Sequence, residues 1–544
     1  MSHARACLVL LLLVGVANAQ TPSSEAPITF RISGTVVNSV SGQPVSKVMV
    51  AIGPAEGSDP VKKVVTDQSG QFDFANLKRG KYWLEAQAHG FSAQRFDQHE
   101  EFSTAIAVGP NLNSSNLVFR LRPDATILGT VTDEQNEPVR GAQAMLFRMG
   151  VQDGAAFTRL FASVSTDDVG QYRFSHLSPG KYYVAVAARP WYAEVHDQSL
   201  RGVGRFSQNA EAEPPTQDAQ FDVTYPVTFN GDVTEPNGAT PLVLKAGDRL
   251  NTDIALAPVP SLHVRITDPT AGPSTAFGAS LSRSFFGNIN VPVALSYDAM
   301  KPGEVDISGV PAGQFLLTLN PSSGTSVGTR QKQIEISGNS EIDASDASAS
   351  CLINGTVQFD SGEPLSQMAV VRFSNPSGDF LLRTSPKGEF SVTASRLRDQ
   401  HYAVSVFTVP GAVVRSISAT GAQVIGHQVE ITDSSVRLKV VISKVSARID
   451  GTALLDGKPF AGAMIVLVPH DIEHDSTLIR RDQSDSDGTF SLYNVLQGKY
   501  TVVAVRNEWD QAWLNPSVIQ PLLKNGEVID VTAQSRPNIK VNVQ

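Results

Sequence analysis

Cysteine is nearly missing from this chain: of 544 residues, only Cys7 and Cys351 are cysteines. Cys7 falls in a leader expected to be removed, so the mature chain keeps one thiol and no internal disulfide can form. Each domain must then be held by its own core. Cys351, beside Leu352 and Ile353 at the start of a strand, reads as a buried, inert thiol. Long apolar runs are lacking too. The longest, Ala6 to Ala17, spans about twelve residues where a membrane-crossing helix needs about twenty. Charged residues are only 18% of the chain, the formal net charge is −9, and no basic stripe occurs. That balance excludes nucleic acid as a partner, because a phosphate backbone needs a cationic surface. Nowhere does a helical period persist over three turns.

The N-terminus does carry a secretory pattern. His3 and Arg5 precede the apolar run, and Ala17-Asn18-Ala19 supplies the small-x-small site that places cleavage before Gln20. The chain is therefore expected to be exported, whether periplasmic, cell-surface or extracellular, with no transmembrane span after cleavage. Apolar residues make up 41%, and 42 glycines and 32 prolines are spread throughout. That composition suits globular domains of short strands and tight turns.

Internal repeats are the strongest pattern. Thr66-Asp-Gln-Ser-Gly70-Gln-Phe72 returns as Thr166-Asp-Asp-Val-Gly170-Gln-Tyr172 and as Ser484-Asp-Ser-Asp-Gly488-Thr-Phe490. Ten residues after each glycine comes another, Gly80, Gly180 or Gly498, followed by Lys81-Tyr82, Lys181-Tyr182 or Lys499-Tyr500. A worn copy keeps Gly303, Gly313 and Phe315, and another keeps Gly388-Glu-Phe390 with His401-Tyr402 two residues late. Four copies open alike, at Gly34-Thr-Val36, Gly129-Thr-Val131, Gly355-Thr-Val357 and Gly451-Thr-Ala453, and the worn third has Leu262-His-Val-Arg-Ile266. Opening to turn is 36, 41, 33 and 37 residues. Period-two segments such as Phe72-Asp73-Phe74 predict strands. The expected architecture is all-β: a tandem array of about five antiparallel β-sandwich domains. Their expected bounds are 28–122, 123–258 with an insertion at about 190–245, 259–347, 348–444 and 445–544, after a leader of 1–19. Ser207–Gln220, rich in Glu, Pro and Gln, is the expected mobile part of the insertion.

With Gly42-Gln-Pro44-Val45, Glu137-Pro138-Val139 and the variants Glu363-Pro364-Leu365 and Lys458-Pro459-Phe460, the pattern resembles the carboxypeptidase regulatory-like domain, a transthyretin-like sandwich. The resemblance implies domains found beside peptidases, at the front of outer-membrane receptors and in long surface proteins. It implies no peptidase activity, and sugar binding only by analogy of fold.

Three motifs invite chemistry. His470-Asp-Ile-Glu473-His474 has zinc-peptidase spacing, but no histidine follows it and the flanks predict a hairpin loop instead of a helix. Gly324-Thr-Ser326-Val-Gly328 lacks the strand–turn–helix setting of a nucleophile elbow. Asp482, Asp485 and Asp487 lack the Glu that would complete a calcium loop, and read as a plain turn. No catalytic residue, metal ligand or cofactor is expected. Phe91, Trp191 and Trp509 each lie nine residues after the repeat tyrosine, which suggests a shared packing role. Trp191-Tyr192 and Trp509 with Trp513 are also the aromatic pairs that could stack on sugar or anchor a protein. The expected function is a non-enzymatic structural or adhesive array, with an envelope polysaccharide or surface protein as partner. A carbohydrate-binding array and an accessory subunit of a secreted hydrolase are the alternatives.

Overall fold

A computed structural model describes residues 29–544 except 58–59, 113, 153, 194–220, 269–276, 288, 294–295, 302, 322–328, 348–350, 376–377, 395–400, 410, 445–446, 507–508, 510 and 534. The leader, the Ser207–Gln220 segment and the Gly324–Gly328 motif lie outside the described residues. Five two-sheet sandwiches follow one another, each around its own apolar cluster. In the first, Phe30–Asn38 lies between Gln71–Leu77 and Leu117–Leu121, facing a sheet built on Met49–Pro54 and Gly80–Gln87. The third, whose motifs are most worn, is a complete sandwich of two four-stranded sheets.

The sheets are not purely antiparallel. In every domain the closing strand runs parallel to the opening one: Leu117–Leu121 beside Phe30–Asn38, Arg249–Asn251 beside Ala125–Thr132, Ser340–Asp343 beside Leu262–Thr267, Ser435–Ser443 beside Cys351–Phe359 and Asn538–Asn542 beside Ala447–Leu455. Side chains alternate with period two in both pairings, so sequence periodicity carries no sign of strand direction.

The repeat residues have local reasons. The opening glycine sits opposite the aromatic that follows the turn: Gly34 faces Phe72, Gly129 faces Tyr172, Gly355 faces Phe390 and Gly451 faces Phe490. A Cβ at Gly355 or Gly451 would run into that ring, and one at Gly34 into the Leu117 carbonyl of the parallel strand. In the third domain the pair is Ile266 opposite Val305, so a larger residue at the glycine position meets a smaller one at the aromatic position. The turn hydroxyl is buried and ties two segments. Thr66 Oγ1 accepts from Val48 N and donates to Val45 O, both at 2.9 Å, and Thr166 and Ser484 repeat this. Asp67 and Asp167 accept amide bonds within their own turns, while Gly70 and Gly170 take φ near +70°.

One helix, Pro516–Lys524, escapes the sequence pattern although Asn515 caps it and Pro516 opens it. Among the described residues, no helix is long and apolar enough to cross a membrane.

Candidate functional site

The last domain docks on the first. Asp485, the counterpart of the turn-capping Asp67, receives Lys81 of the first domain and accepts from Ala105 N at 3.0 Å. Ser486 exchanges bonds with the same strand, its N donating to Ala105 O and its Oγ accepting from Ala107 N. Gln483 Nε2 donates to Asp97 O at 2.7 Å and to Thr104 Oγ1 at 2.8 Å. Arg481, its side chain 4% exposed, pairs with Glu100 at 2.9 Å and Glu101 at 3.1 Å and lies over Phe102 and Trp513. Glu56 reaches across to Tyr493 and to Arg448.

Burial dominates the electrostatics there. It pushes the Asp482 carboxyl up to about 7, against the pull of amide bonds from Ser491 N and Gln483 N, and nearby Asp485 adds to the rise. Burial also raises Asp485, and Lys81 only partly offsets it. The aspartate-rich segment therefore does form a turn, but Asp485 also serves a domain junction that sequence reading missed.

The tryptophans divide. Trp513 is 1% exposed and Trp509 4%, so neither offers a ring face to solvent, contrary to expectation. Both cover the outer face of the strands Met464–Pro469 and Gly498–Val505, with Ile519 of the helix. His99 of the first domain stacks on Trp509 at 5.1 Å and 8°. Gly154 of the second domain lies so close to Trp513 that a Cβ would strike the ring, and Leu514 N donates to Gly154 O at 2.9 Å. The signal was available: Met464 to Pro469 is six consecutive buried residues without alternation, the mark of a strand covered on both faces.

Trp191 is 65% exposed. It meets Tyr192 edge-on at 5.9 Å, and Tyr192 donates to Glu134 at 2.8 Å beside a second such bond from Tyr225. Burial, then the Glu134 bond, raises Tyr192 to about 12. The shared packing role therefore holds for half-buried Phe91, packed against the first core, and for Trp509, but not for Trp191.

His470, Glu473 and His474 lie in turns after Met464–Pro469, with His474 bonded to Asp471 at 3.0 Å. Their backbone holds the fourth domain: His427 N donates to His474 O, Gln428 to Glu473 O, and the His427 ring meets Asp475 at 2.7 Å. Among the described residues, no group of three or more His, Cys, Asp or Glu is placed to hold a metal ion.

A trough of about 800 Å³ lies across the outer face of the fourth domain's opening sheet. Asn354, Thr356, Glu389, Ser391, Ser418, Thr420, Arg437 and Lys439 turn outward along it, and Gly355, Phe390, Ala419 and Leu438 complete its lining.

A family model described as the carboxypeptidase regulatory-like domain matches residues 31–122 and 126–201. The match stops short of the last repeat, which carries the same turn. No curated protein matches. Among solved structures, a streptococcal ancillary pilin is 11% identical, with a TM-score of 0.18 over 52% of this chain and 98% of that one. The TIE protein of Bacillus anthracis is 9% identical, with a TM-score of 0.16 over 96% and 76%. BcpA, the major pilin subunit of Bacillus cereus, is 8% identical, with a TM-score of 0.14 over 95% and 99%. At such scores the likeness carries no argument about function.

Proposed function

We propose that this chain, whose first two sandwiches match the carboxypeptidase regulatory-like domain, is an exported, non-enzymatic structural and adhesive array of the envelope or extracellular space. The junction between first and last domains carries the reading. Among the described residues, both carboxyls whose pKa is raised, Asp482 and Asp485, lie there, and Asp485 is held by the Lys81 pair. A general acid or base must instead reach a substrate. The Asp485 carboxylate is used to hold the two domains together, and Asp482 is bonded to amides of its own domain.

The test has two arms on the signal-free chain. It should be retained by isolated cell envelopes, and with zinc it should release nothing from peptide substrates. Hydrolysis that disappears in His470→Ala would overturn the non-enzymatic reading, and failure to bind any envelope fraction would overturn the adhesive one.

A second reading, sugar binding, is favoured by Trp191, exposed and steadied against Tyr192 by the Glu134 bond. An aromatic ring held edge-on to a neighbour keeps a flat face free for stacking.

A further inference from the structure

The trough on the fourth domain is laid out by strand register. Two rows of outward side chains cross the same four strands. Asn354 pairs with Ser391 on one side and Arg437 on the other, and Arg437 pairs with Thr420. Two residues along, Thr356 pairs with Glu389 and Lys439, and Lys439 with Ser418. Each row of four therefore spans about 14 Å, three inter-strand gaps. The residues that alternate with them along the strands, Ile353, Val357, Val436, Leu438 and Val440, are buried in the core. The outer end of each row, Thr420 and Ser418, exists because the fourth domain adds a strand, Val413–Thr420, beyond its closing strand. In the first and third domains the closing strand is the sheet edge. A register shift between Val414 and Ser416 marks an irregularity in the added strand, of the kind that bends a sheet edge.

The charge of the grid is distinctive. Arg437 and Lys439 stand side by side, and among the described residues neither has an ion-pair partner, nor does Glu389. Residues 348–444 carry nine Lys and Arg against seven Asp and Glu, whereas the whole chain carries 44 against 53. With Arg437 and Lys439 against the single carboxylate of Glu389, the trough carries a net charge of +1 on an acidic protein. Around its two cations lie one amide, four hydroxyls and, at the end of one row, the Glu389 carboxylate, a set that can meet hydroxyl and carboxylate oxygens at the cations and hydroxyl donors at Glu389. It offers no apolar recess for the anchors that peptides use, and the backbone of its floor strands is already paired. Two cations fall far short of a phosphate-tracking stripe.

We infer that this trough is a binding site for an anionic polysaccharide, one bearing carboxylate or sulfate groups along an extended chain. Arg437 and Lys439 hold the acid groups, and Asn354, Thr356, Ser391, Ser418 and Thr420 hold sugar hydroxyls. The site gives the adhesive reading a ligand class. Envelope retention tests that reading separately, since the whole array could adhere through other surfaces.

The experiment measures binding of the signal-free chain to alginate, heparin, neutral dextran, poly-glutamate and single-stranded DNA at low ionic strength. Alginate or heparin should bind, dextran should not, and binding should weaken as salt rises. The double variant Arg437→Gln with Lys439→Gln should bind about tenfold more weakly or worse, the loss expected for two charge-assisted contacts, with an unchanged melting temperature. Both residues are exposed, so the variant should fold. Failure of both anionic polysaccharides to bind would overturn the inference. So would parental affinity in the double variant, or poly-glutamate or DNA binding as tightly as the polysaccharide.

Discussion

Trp191 and Trp509 occupy the same place in their repeats, nine residues beyond Tyr182 and Tyr500, yet one is 65% exposed and the other 4%. The sandwiches beneath them are alike. What differs is the neighbour: His99 and Phe102 of the first domain close over Trp509, and nothing comparable is described over Trp191. Asp167 and Asp485 form a parallel pair. Asp167 caps its own turn in solvent, whereas Asp485 turns to Lys81 and the Ala105 amide, and the turn amide of Thr489 is left to Asp487. A repeat motif therefore fixes where a side chain stands, and domain packing decides what it does there.

The comparison breaks most visibly at Trp513, which has no counterpart in the first repeat. Trp513→Ala removes a fully buried ring from the cover of a sheet and should cost about 3–5 kcal/mol in denaturant unfolding of the whole chain. A variant as stable as the parent would mean that the ring is not core. Next come the two aspartates. Asp485→Ala leaves Lys81 and the Ala105 amide without their acceptor and should cost about 1–3 kcal/mol. It should also abolish carbodiimide cross-linking between Lys81 and residue 485, read by mass spectrometry. Asp167→Ala should cost about 1 kcal/mol or less, as an exposed turn cap. Equal costs would remove the contrast.

A gentler effect follows from pH. The Asp482 carboxyl is raised to about 7 in the folded chain, above its unfolded value near 4. Between those values the folded state binds more protons, so this group's contribution makes stability fall as pH rises from about 4 to about 7 and level off above. Asp485 is raised in the same direction. Melting temperatures across that window should decline, and Asp482→Asn should flatten the decline; an equal slope in the variant would assign it to other groups. Smallest of all, Trp191→Ala should change stability by no more than about 0.5 kcal/mol, since an exposed ring gives up little contact. A larger loss in its melt would show that Trp191 is covered like Trp509.

Much of the candidate binding face was written in the chain without being readable as a site. Alternation shows that Asn354 and Thr356, or Arg437 and Lys439, share an outward face, with Gly355 and buried Leu438 between them. It does not show that Asn354 stands beside Arg437, because register between strands 83 residues apart depends on the fold of the whole domain. The added strand Val413–Thr420, which extends the face past the closing strand, reads in sequence like any other.

The sequence by itself determined the five sandwiches. Their cause is local: a buried Thr or Ser hydroxyl, a turn glycine at positive φ, an opening glycine opposite an aromatic, and alternation between them. Each acts over a few residues or across one strand pair, so each leaves a spacing that can be read. Even the third domain kept enough, exchanging glycine and aromatic for Ile266 and Val305. Only the tertiary structure decided that Lys81 meets Asp485, that Trp509 lies under His99, and that the loop of His470 and His474 braces the fourth domain. Those contacts join residues from about 45 to about 410 positions apart through the orientation of whole domains. Periodicity reports that a face must be covered, as the unbroken run Met464–Pro469 did, but the identity of the cover is set by shape and charge matching between surfaces that no single stretch of chain contains.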